Sequence, residues 1–175
     1  MNIIKSINEE LQESKEQLEK AYLESIEVVR HTVEAKDTYT RGHSDRVSAY
    51  SVLIGEKMGL SKEDLKTLKI GGLFHDIGKI GVSDAILQKE SKLKNDEYYE
   101  IKNHPAIGKH ILSNATIVKD LIPIVYHHHE KYDGTGYPEQ LKGEDIPLFA
   151  RIVAVADAFD AMTSRRSYRN EMDLD

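Results

Sequence analysis

Apolar side chains recur at helical spacing from the first residues of the chain. Residues 2–36 contain neither glycine nor proline, and their apolar positions follow the a and d sites of a heptad repeat. These core positions are Ile4, Ile7, Leu11, Leu18, Ala21 and Val28, with Ser14 and Ser25 at the remaining two. Because charged and amide side chains surround them, the pattern predicts a long helix that pairs with a second copy in a parallel coiled coil. An amphipathic helix that packs on its own domain is the alternative.

Helical periods continue through the rest of the chain, and no segment alternates as a strand would. From Thr40 onward, one helix carries Val47, Tyr50, Leu53, Ile54 and Met58, and it ends at Gly59, a residue type common at helix C-termini. Ser61 and Asp64 have the spacing of a capping box that opens the next helix. Further helices are predicted over residues 95–101, 105–112, 117–129 and 148–163. The fold class is therefore predicted to be all-α.

Composition limits the chemistry that the chain can perform. Its 175 residues are enough for one domain with a hydrophobic core. Cysteine is absent, so any metal ion must be held by nitrogen and oxygen ligands. A net charge of −6 argues against broad binding to DNA or RNA. The sequence contains no apolar run long enough for membrane insertion and no secretory signal pattern, so a cytoplasmic location is expected.

Histidines next to acidic residues are the strongest sign of a metal site. The eight histidines are His31, His43, His75, His104, His110, His127, His128 and His129. Adjacent helical residues diverge by about 100°, so His75 and Asp76 suit two neighbouring metal positions, with the carboxylate bridging them. Asp157 lies on an otherwise apolar helix and needs a partner, either a metal ion or a salt bridge to Arg46 or Arg151.

Several motifs lie at separate points along the chain: His43, the run His75-Asp76-Ile77-Gly78-Lys79, His104-Pro105, the tract from His128 to Pro138, and residues 156–164. Together they resemble the HD-GYP branch of the HD phosphohydrolase superfamily. The resemblance covers roughly residues 30–170, in the family's order and spacing. It implies an HD-domain helical bundle over residues 31–175, without the family's usual C-terminal helices, preceded by a linker helix over residues 1–30.

The resemblance also implies a ligand set for two divalent metal ions. The first ion would be held by His43, His75 and Asp157, the second by His104, His128 and His129, and Asp76 would bridge both. His31, His110 and His127 match no ligand position. Some family members hold a third metal with a glutamate where this chain has Tyr39, so two metals are expected. Iron or manganese is favoured by the resemblance, with nickel or zinc as alternatives.

The activity implied by the resemblance is hydrolysis of the bacterial messenger cyclic di-GMP to pGpG or GMP. Asp76 and Lys79 would be catalytic, with Lys79 on the same helical face as His75 and in contact with phosphate. Arg166 and Arg169 are expected to bind phosphate, and Asp160 and Thr163 to hold the helix end and support the ligands. The expected wall of the site is formed by Gly136, Tyr137 and Pro138.

Two other functions remain open. The first is a nucleotide phosphohydrolase of the wider HD superfamily with a single metal. The second is a non-catalytic module that binds cyclic di-GMP or a partner protein, such as a diguanylate cyclase. Ser83 and Ser167 stand where the family usually has proline, and the chain ends at Asp175, soon after Tyr168-Arg169. None of these departures removes a candidate ligand.

Overall fold

The structure, a computed structural model, describes residues 2–36, 42–89 and 91–164, and every regular element in these ranges is helical. The α-helices are α1 (Asn2–Lys36), α2 (His43–Lys57), α3 (Lys62–Phe74), α4 (Asp84–Leu87), α5 (Asn95–Lys102), α6 (His104–Ser113), α7 (Ile122–His127) and α8 (Leu148–Thr163). Shorter 3-10 helices cover Ile77–Gly81, Thr116–Leu121 and Gly143–Asp145. The prediction of an all-α fold with a long N-terminal helix is confirmed.

The chain divides into two compact units, Met1–Thr32 and Val33–Asp175. The first unit is the greater part of α1, and its heptad positions carry exposed apolar side chains, including Ile4 and Leu18 at 69% and 72% exposure. No helix in the part of the chain that the structure describes combines the length and apolar character needed to cross a bilayer.

Local signals in the sequence determine where α2 and α3 meet. Helix α2 ends at Lys57, and Gly59 follows with a left-handed φ of 76°. At the start of α3 the Ser61 side chain accepts a hydrogen bond from the Asp64 amide at 3.1 Å, and the Asp64 carboxylate accepts from the Ser61 amide at 3.3 Å. The predicted capping box is therefore present, and it satisfies amides that the first turn would otherwise leave unpaired.

The core of the second unit lies between α2, α3, α7 and α8. Its fully or almost fully buried members are Val47, Leu68, Ile124, Ile152, Val153 and Ala156. Burial of a side chain the size of valine or leucine stabilises the fold by about 1.5–3 kcal/mol before entropy losses. Three candidate ligands, His43, His75 and His128, lie at the ends of α2, α3 and α7.

The segment before the two adjacent histidines differs from the predicted single helix over residues 117–129. It consists of the 3-10 helix Thr116–Leu121 followed by α7, which ends at His127. Pro123 lies in the first turn of α7, where its missing amide hydrogen breaks no helical bond, so a new helix begins there. His128 and His129 thus follow the last turn of α7 and are not inside a helix.

Candidate metal centre

Helix ends supply most of the predicted ligands. His43 is the first residue of α2, and His104 is the first residue of α6. His75 caps the C-terminus of α3, and His128 caps that of α7. Asp157, in contrast, lies in the interior of α8. All of these side chains come from different parts of the sequence, so only the packed fold can bring them together.

The structure gathers the seven predicted ligands into two groups. One group contains His43, His75 and Asp157, and the other contains Asp76, His104, His128 and His129. Within each group, one potential ligand atom from every member lies within 4.8 Å of the others. Imidazole nitrogens and carboxylate oxygens in this number suit a divalent transition metal.

Asp76 belongs to the second group, but its carboxylate also faces His75 of the first. Its Oδ2 atom is 3.3 Å from Nε2 of His75. Its Oδ1 atom is 3.1 Å from Nε2 of His104 and 3.9 Å from Nε2 of His128. The two oxygens of one side chain therefore face the histidines of both groups, as a bridging ligand requires.

Three of the histidines are oriented by backbone carbonyl groups one turn earlier in the chain. The Nδ1 atoms of His75, His104 and His128 lie 2.7, 2.8 and 2.9 Å from the carbonyl oxygens of Gly72, Ile101 and Val125. A carbonyl oxygen only accepts, so each Nδ1 donates its hydrogen there. In the neutral ring the lone pair is then on Nε2, the atom that points toward the other ligands.

The buried donor atoms fit a metal ion better than they fit one another. Nε2 of His75 is buried and has no hydrogen-bond partner among the described residues, although Asp76 is close. Nε2 of His104 and Nε2 of His128 are only 3.3 Å apart. Two lone pairs at that distance repel unless a proton or a cation lies between them, so the donor set fits a bound cation.

The pKa values of the buried histidines are shifted in opposite directions. Burial disfavours the charged form of His75, but the adjacent Asp76 outweighs burial and raises the pKa of His75 to about 9. Burial opposes the charge of Asp76, yet Lys79 and His75 hold its pKa well below the usual value. Burial lowers the pKa of His128 well below its usual value and that of His129 to about 4. His128 and His129 are therefore neutral and ready to ligate, whereas His75 must first lose a proton.

Lys79 occupies a different position from the one predicted. Helix α3 ends at Phe74, and Lys79 lies in the following 3-10 helix Ile77–Gly81. It is therefore not one α-helical turn from His75 on a shared face. Its Nζ atom instead lies 2.8 Å from Oδ2 of Asp76. The amine still reaches the candidate metal centre, but through the bridging carboxylate.

The salt bridge considered for Asp157 is absent among the described contacts, and a histidine takes its place. Oδ1 of Asp157 lies 3.3 Å from Nε2 of His43. Arg46 pairs with Asp160, whose Oδ1 atom is 2.5 Å from the guanidinium Nε. Nε of Arg151 is buried and lacks a hydrogen-bond partner among the described residues. The sequence indicated the charges correctly but not their pairing, because helical spacing alone does not identify contacts between α2 and α8.

The loop after His129 folds back against it. The amide of Tyr137 donates to the carbonyl oxygen of His129 at 3.2 Å, and the two rings stack with centroids 4.7 Å apart. A Cβ atom at Gly136 would overlap the backbone of Lys131 and Glu130, so this close approach requires glycine. The buried Glu130 accepts the amide hydrogen of Glu139 at 2.7 Å and closes the loop. This role of Glu130 was not predicted from the sequence, because it depends on a contact with a residue nine positions later in the loop.

The remaining predicted residues lie elsewhere. Within the described ranges, neither ligand group contains His31, His110 or His127. The hydroxyl of Thr163 donates to the carbonyl oxygen of Phe159, so it contacts its own helix. Arg166, Arg169 and Tyr39 are outside the described residues.

Comparison with known proteins places this site in a family context. The profile of the HD domain family matches residues 27–175. The 3′3′-cGAMP-specific phosphodiesterase 3 of Vibrio cholerae is 43% identical to the chain, over 90% of this chain and 35% of that protein. The cyclic di-GMP phosphodiesterase response regulator RpfG of Xanthomonas campestris is 38% identical, over 97% of this chain and 46% of that protein. The chain thus spans less than half the length of these curated relatives.

Solved structures show the same fold. An HDG"Y"P protein of Bdellovibrio bacteriovorus, Bd1817, superposes with a TM-score of 0.60 and 26% identity, over 69% of this chain and 40% of that one. The cyclic GMP-AMP specific phosphodiesterase V-cGAP3 of V. cholerae also has a TM-score of 0.60, over 78% of this chain and 40% of that one. At 22% identity, the second likeness concerns the fold alone.

Proposed function

Since the chain belongs to the HD-GYP family of HD-domain proteins, we propose that it is a metal-dependent phosphodiesterase that hydrolyses cyclic di-GMP to pGpG or GMP. The relatives named as phosphodiesterases of cyclic dinucleotides support this substrate class. The reaction breaks a phosphorus–oxygen bond of the ring by addition of water.

The position of Asp76 is the observation that carries the proposal. Its two oxygens face His75 on one side and His104 on the other, at 3.3 and 3.1 Å. A structural carboxylate would need one partner, whereas this one lies among several imidazoles and the Lys79 amine. That arrangement favours a centre for two cations, in which Asp76 would bridge and the two groups of ligands would complete the coordination.

The ligand types also favour particular metals. Histidines with carboxylates and no thiolate suit iron or manganese, and nickel and zinc are the alternatives. When bound, two such ions supply Lewis acidity at the phosphoryl group and lower the pKa of water. The candidate ligands would hold the ions, and three of their rings, those of His75, His104 and His128, are oriented by backbone carbonyl groups.

Other residues would bind the substrate around this centre. Lys79 adds a positive charge beside Asp76, at a place where a phosphoryl oxygen would gain from it. The loop of Gly136, Tyr137 and Pro138 provides a fixed wall, because Tyr137 is stacked on His129. Arg166 and Arg169 would complete the phosphate site, since guanidinium groups bind phosphate through paired hydrogen bonds.

The substrate within the class is a separate question, because several relatives, all from V. cholerae, are named as specific for 3′3′-cGAMP. Purification without oxygen, followed by metal quantification and turnover assays on the same sample, tests both the metal dependence and the identity of the substrate. We expect manganese- or iron-dependent loss of cyclic di-GMP, faster than loss of 3′3′-cGAMP. Faster loss of 3′3′-cGAMP would identify that dinucleotide as the substrate in place of cyclic di-GMP. Binding of cyclic di-GMP without turnover by a metal-loaded sample would favour a non-catalytic module.

A further inference from the structure

His43 is held differently from the other oriented histidines of the candidate centre. Nδ1 of His75, His104 and His128 donates to a backbone carbonyl oxygen. Nδ1 of His43 instead lies 2.7 Å from Oδ2 of Asp160, a side chain 117 positions later in the sequence. The orientation of this one ring therefore depends on the packing of α2 against α8, and on a carboxylate.

Asp160 is built into this position by three further hydrogen bonds. Its side chain is 1% exposed. Nε of Arg46 donates to Oδ1 at 2.5 Å, and Nη2 of Arg46 donates to Oδ2 at 3.1 Å. The hydroxyl of Ser164 donates to Oδ1 at 3.0 Å. A buried carboxylate with a guanidinium partner stays ionised and can only accept hydrogen bonds.

The acceptor character of Asp160 determines which nitrogen of His43 carries the hydrogen. Nδ1 must donate to Asp160, so in the neutral ring the lone pair is on Nε2. Nε2 faces Asp157 at 3.3 Å, and the ring of His43 lies edge-on to that of His75, with centroids 5.3 Å apart. Asp157 and His75 are the other members of the same ligand group.

We propose that Asp160, held by Arg46, is a positioning residue that fixes His43 in the Nδ1–H form and aims Nε2 at the metal position shared with His75 and Asp157. This inference rests on the proposed metal centre, and it assigns to α8 a second role besides supplying Asp157. It also explains why a salt bridge occupies the junction of α2 and α8, where an apolar pair would pack as well. A carboxylate behind a ligating imidazole typically changes metal affinity or activity by about 10- to 100-fold.

The first test is spectroscopic and requires no turnover. Nitrogen-15 NMR of the metal-free protein at alkaline pH, with the His43 signals identified by their loss in a His43→Gln variant, reports which ring nitrogen carries the hydrogen. We expect the Nδ1–H form. The Nε2–H form in the wild-type protein would overturn the proposal. This measurement remains decisive even where an Asp160 variant fails to fold.

The second test separates positioning from general stability. Asp160→Asn should weaken binding of Mn²⁺, titrated alone, by about 10- to 100-fold, with turnover recovering at saturating Mn²⁺. Asp160→Glu should restore part of the affinity, and Asp145→Asn, at an exposed site that belongs to neither ligand group, should leave it unchanged. Unchanged Mn²⁺ affinity in a destabilised Asp160→Asn protein would show a purely structural role. Failure of the wild-type protein to bind Mn²⁺ would instead refute the metal centre, and the NMR result would still decide the role of Asp160.

Discussion

The backbone of Gly78 packs directly against the carbonyl group of His104: a Cβ atom at position 78 would overlap the His104 oxygen. Gly78 belongs to the 3-10 helix that follows Asp76, and His104 begins α6. The contact therefore sets the distance between two members of one ligand group, Asp76 and His104.

Gly78→Ala should accordingly separate these two segments. Because the overlap is with backbone and not with a flexible side chain, we expect a loss of stability of about 3 kcal/mol or more, together with weaker metal binding. Thermal unfolding and metal titration measure the two effects. Gly81→Ala is the matched control in the same 3-10 helix, since its Cβ would meet only the side chain of Ile107, at 2.9 Å. Equal effects of the two substitutions would contradict the role given to Gly78.

Asp76→Asn keeps the shape of the side chain and removes its charge. Because both candidate metal positions depend on this carboxylate, we expect the variant to lose both ions and its turnover of cyclic di-GMP. Elemental analysis of wild type and variant, purified in parallel, measures the ions per chain. Asp145→Asn, at an exposed site, should retain both. Retention of one ion by the Asp76 variant would indicate two independent sites without a bridge.

Lys79→Met removes the amine that lies 2.8 Å from Asp76. Since Lys79 is not among the candidate ligands, the variant should keep its metal ions while turnover falls by about a hundredfold, the usual effect of losing one charge-stabilising donor. Lys79→Arg, which keeps the charge, should retain more activity. Full activity of the methionine variant would exclude a phosphate contact by Lys79.

Metal binding should depend on pH through His75. Its pKa of about 9 in the metal-free protein means that the ring is protonated at neutral pH and must lose a proton to bind. Apparent metal affinity should therefore rise by about tenfold per pH unit as the pH increases toward 9. The stability of the metal-free fold should change in the opposite direction. The raised pKa of His75 stabilises the folded protein fully below pH 6.5, and this stabilisation is lost as the pH rises through about 9. Calorimetry in two buffers that differ in ionisation enthalpy measures the released proton, and release of none would contradict the assignment.

The heptad of α1 should pair two copies of the chain. Leu18 is an a/d position with 72% exposure, and Leu23 lies off the heptad seam with 44% exposure. Leu18→Glu should convert a dimer to a monomer, whereas Leu23→Glu makes the same chemical change and should not. Light scattering gives the mass of each variant. Deletion of residues 1–28 should also yield a monomer, and an unchanged mass in that variant would refute pairing through α1.

Much of the local structure and the identity of the ligand candidates could be predicted from the sequence. Gly59 and the Ser61–Asp64 pair define helix ends through contacts within one turn, so their spacing suffices to predict them. The pattern of histidines and aspartates likewise indicated a metal site, because such residues are costly to bury without partners. The predicted bounds of the last helix, residues 148–163, agree with α8.

Only the tertiary structure decided which residues contact one another. The break before α7 and the end of α3 at Phe74 changed the surroundings of His128 and Lys79 from those predicted for continuous helices. Arg46 pairs with Asp160 and not with Asp157, although both aspartates lie on the same helix. The physical reason is that helix caps depend on neighbours a few positions away, whereas the partners of His43 and Asp76 come from helices whose packing angle and register no local spacing specifies. The sequence by itself therefore determined the candidate ligands, and the packing of the helix ends decided how they are grouped and which carboxylate supports His43.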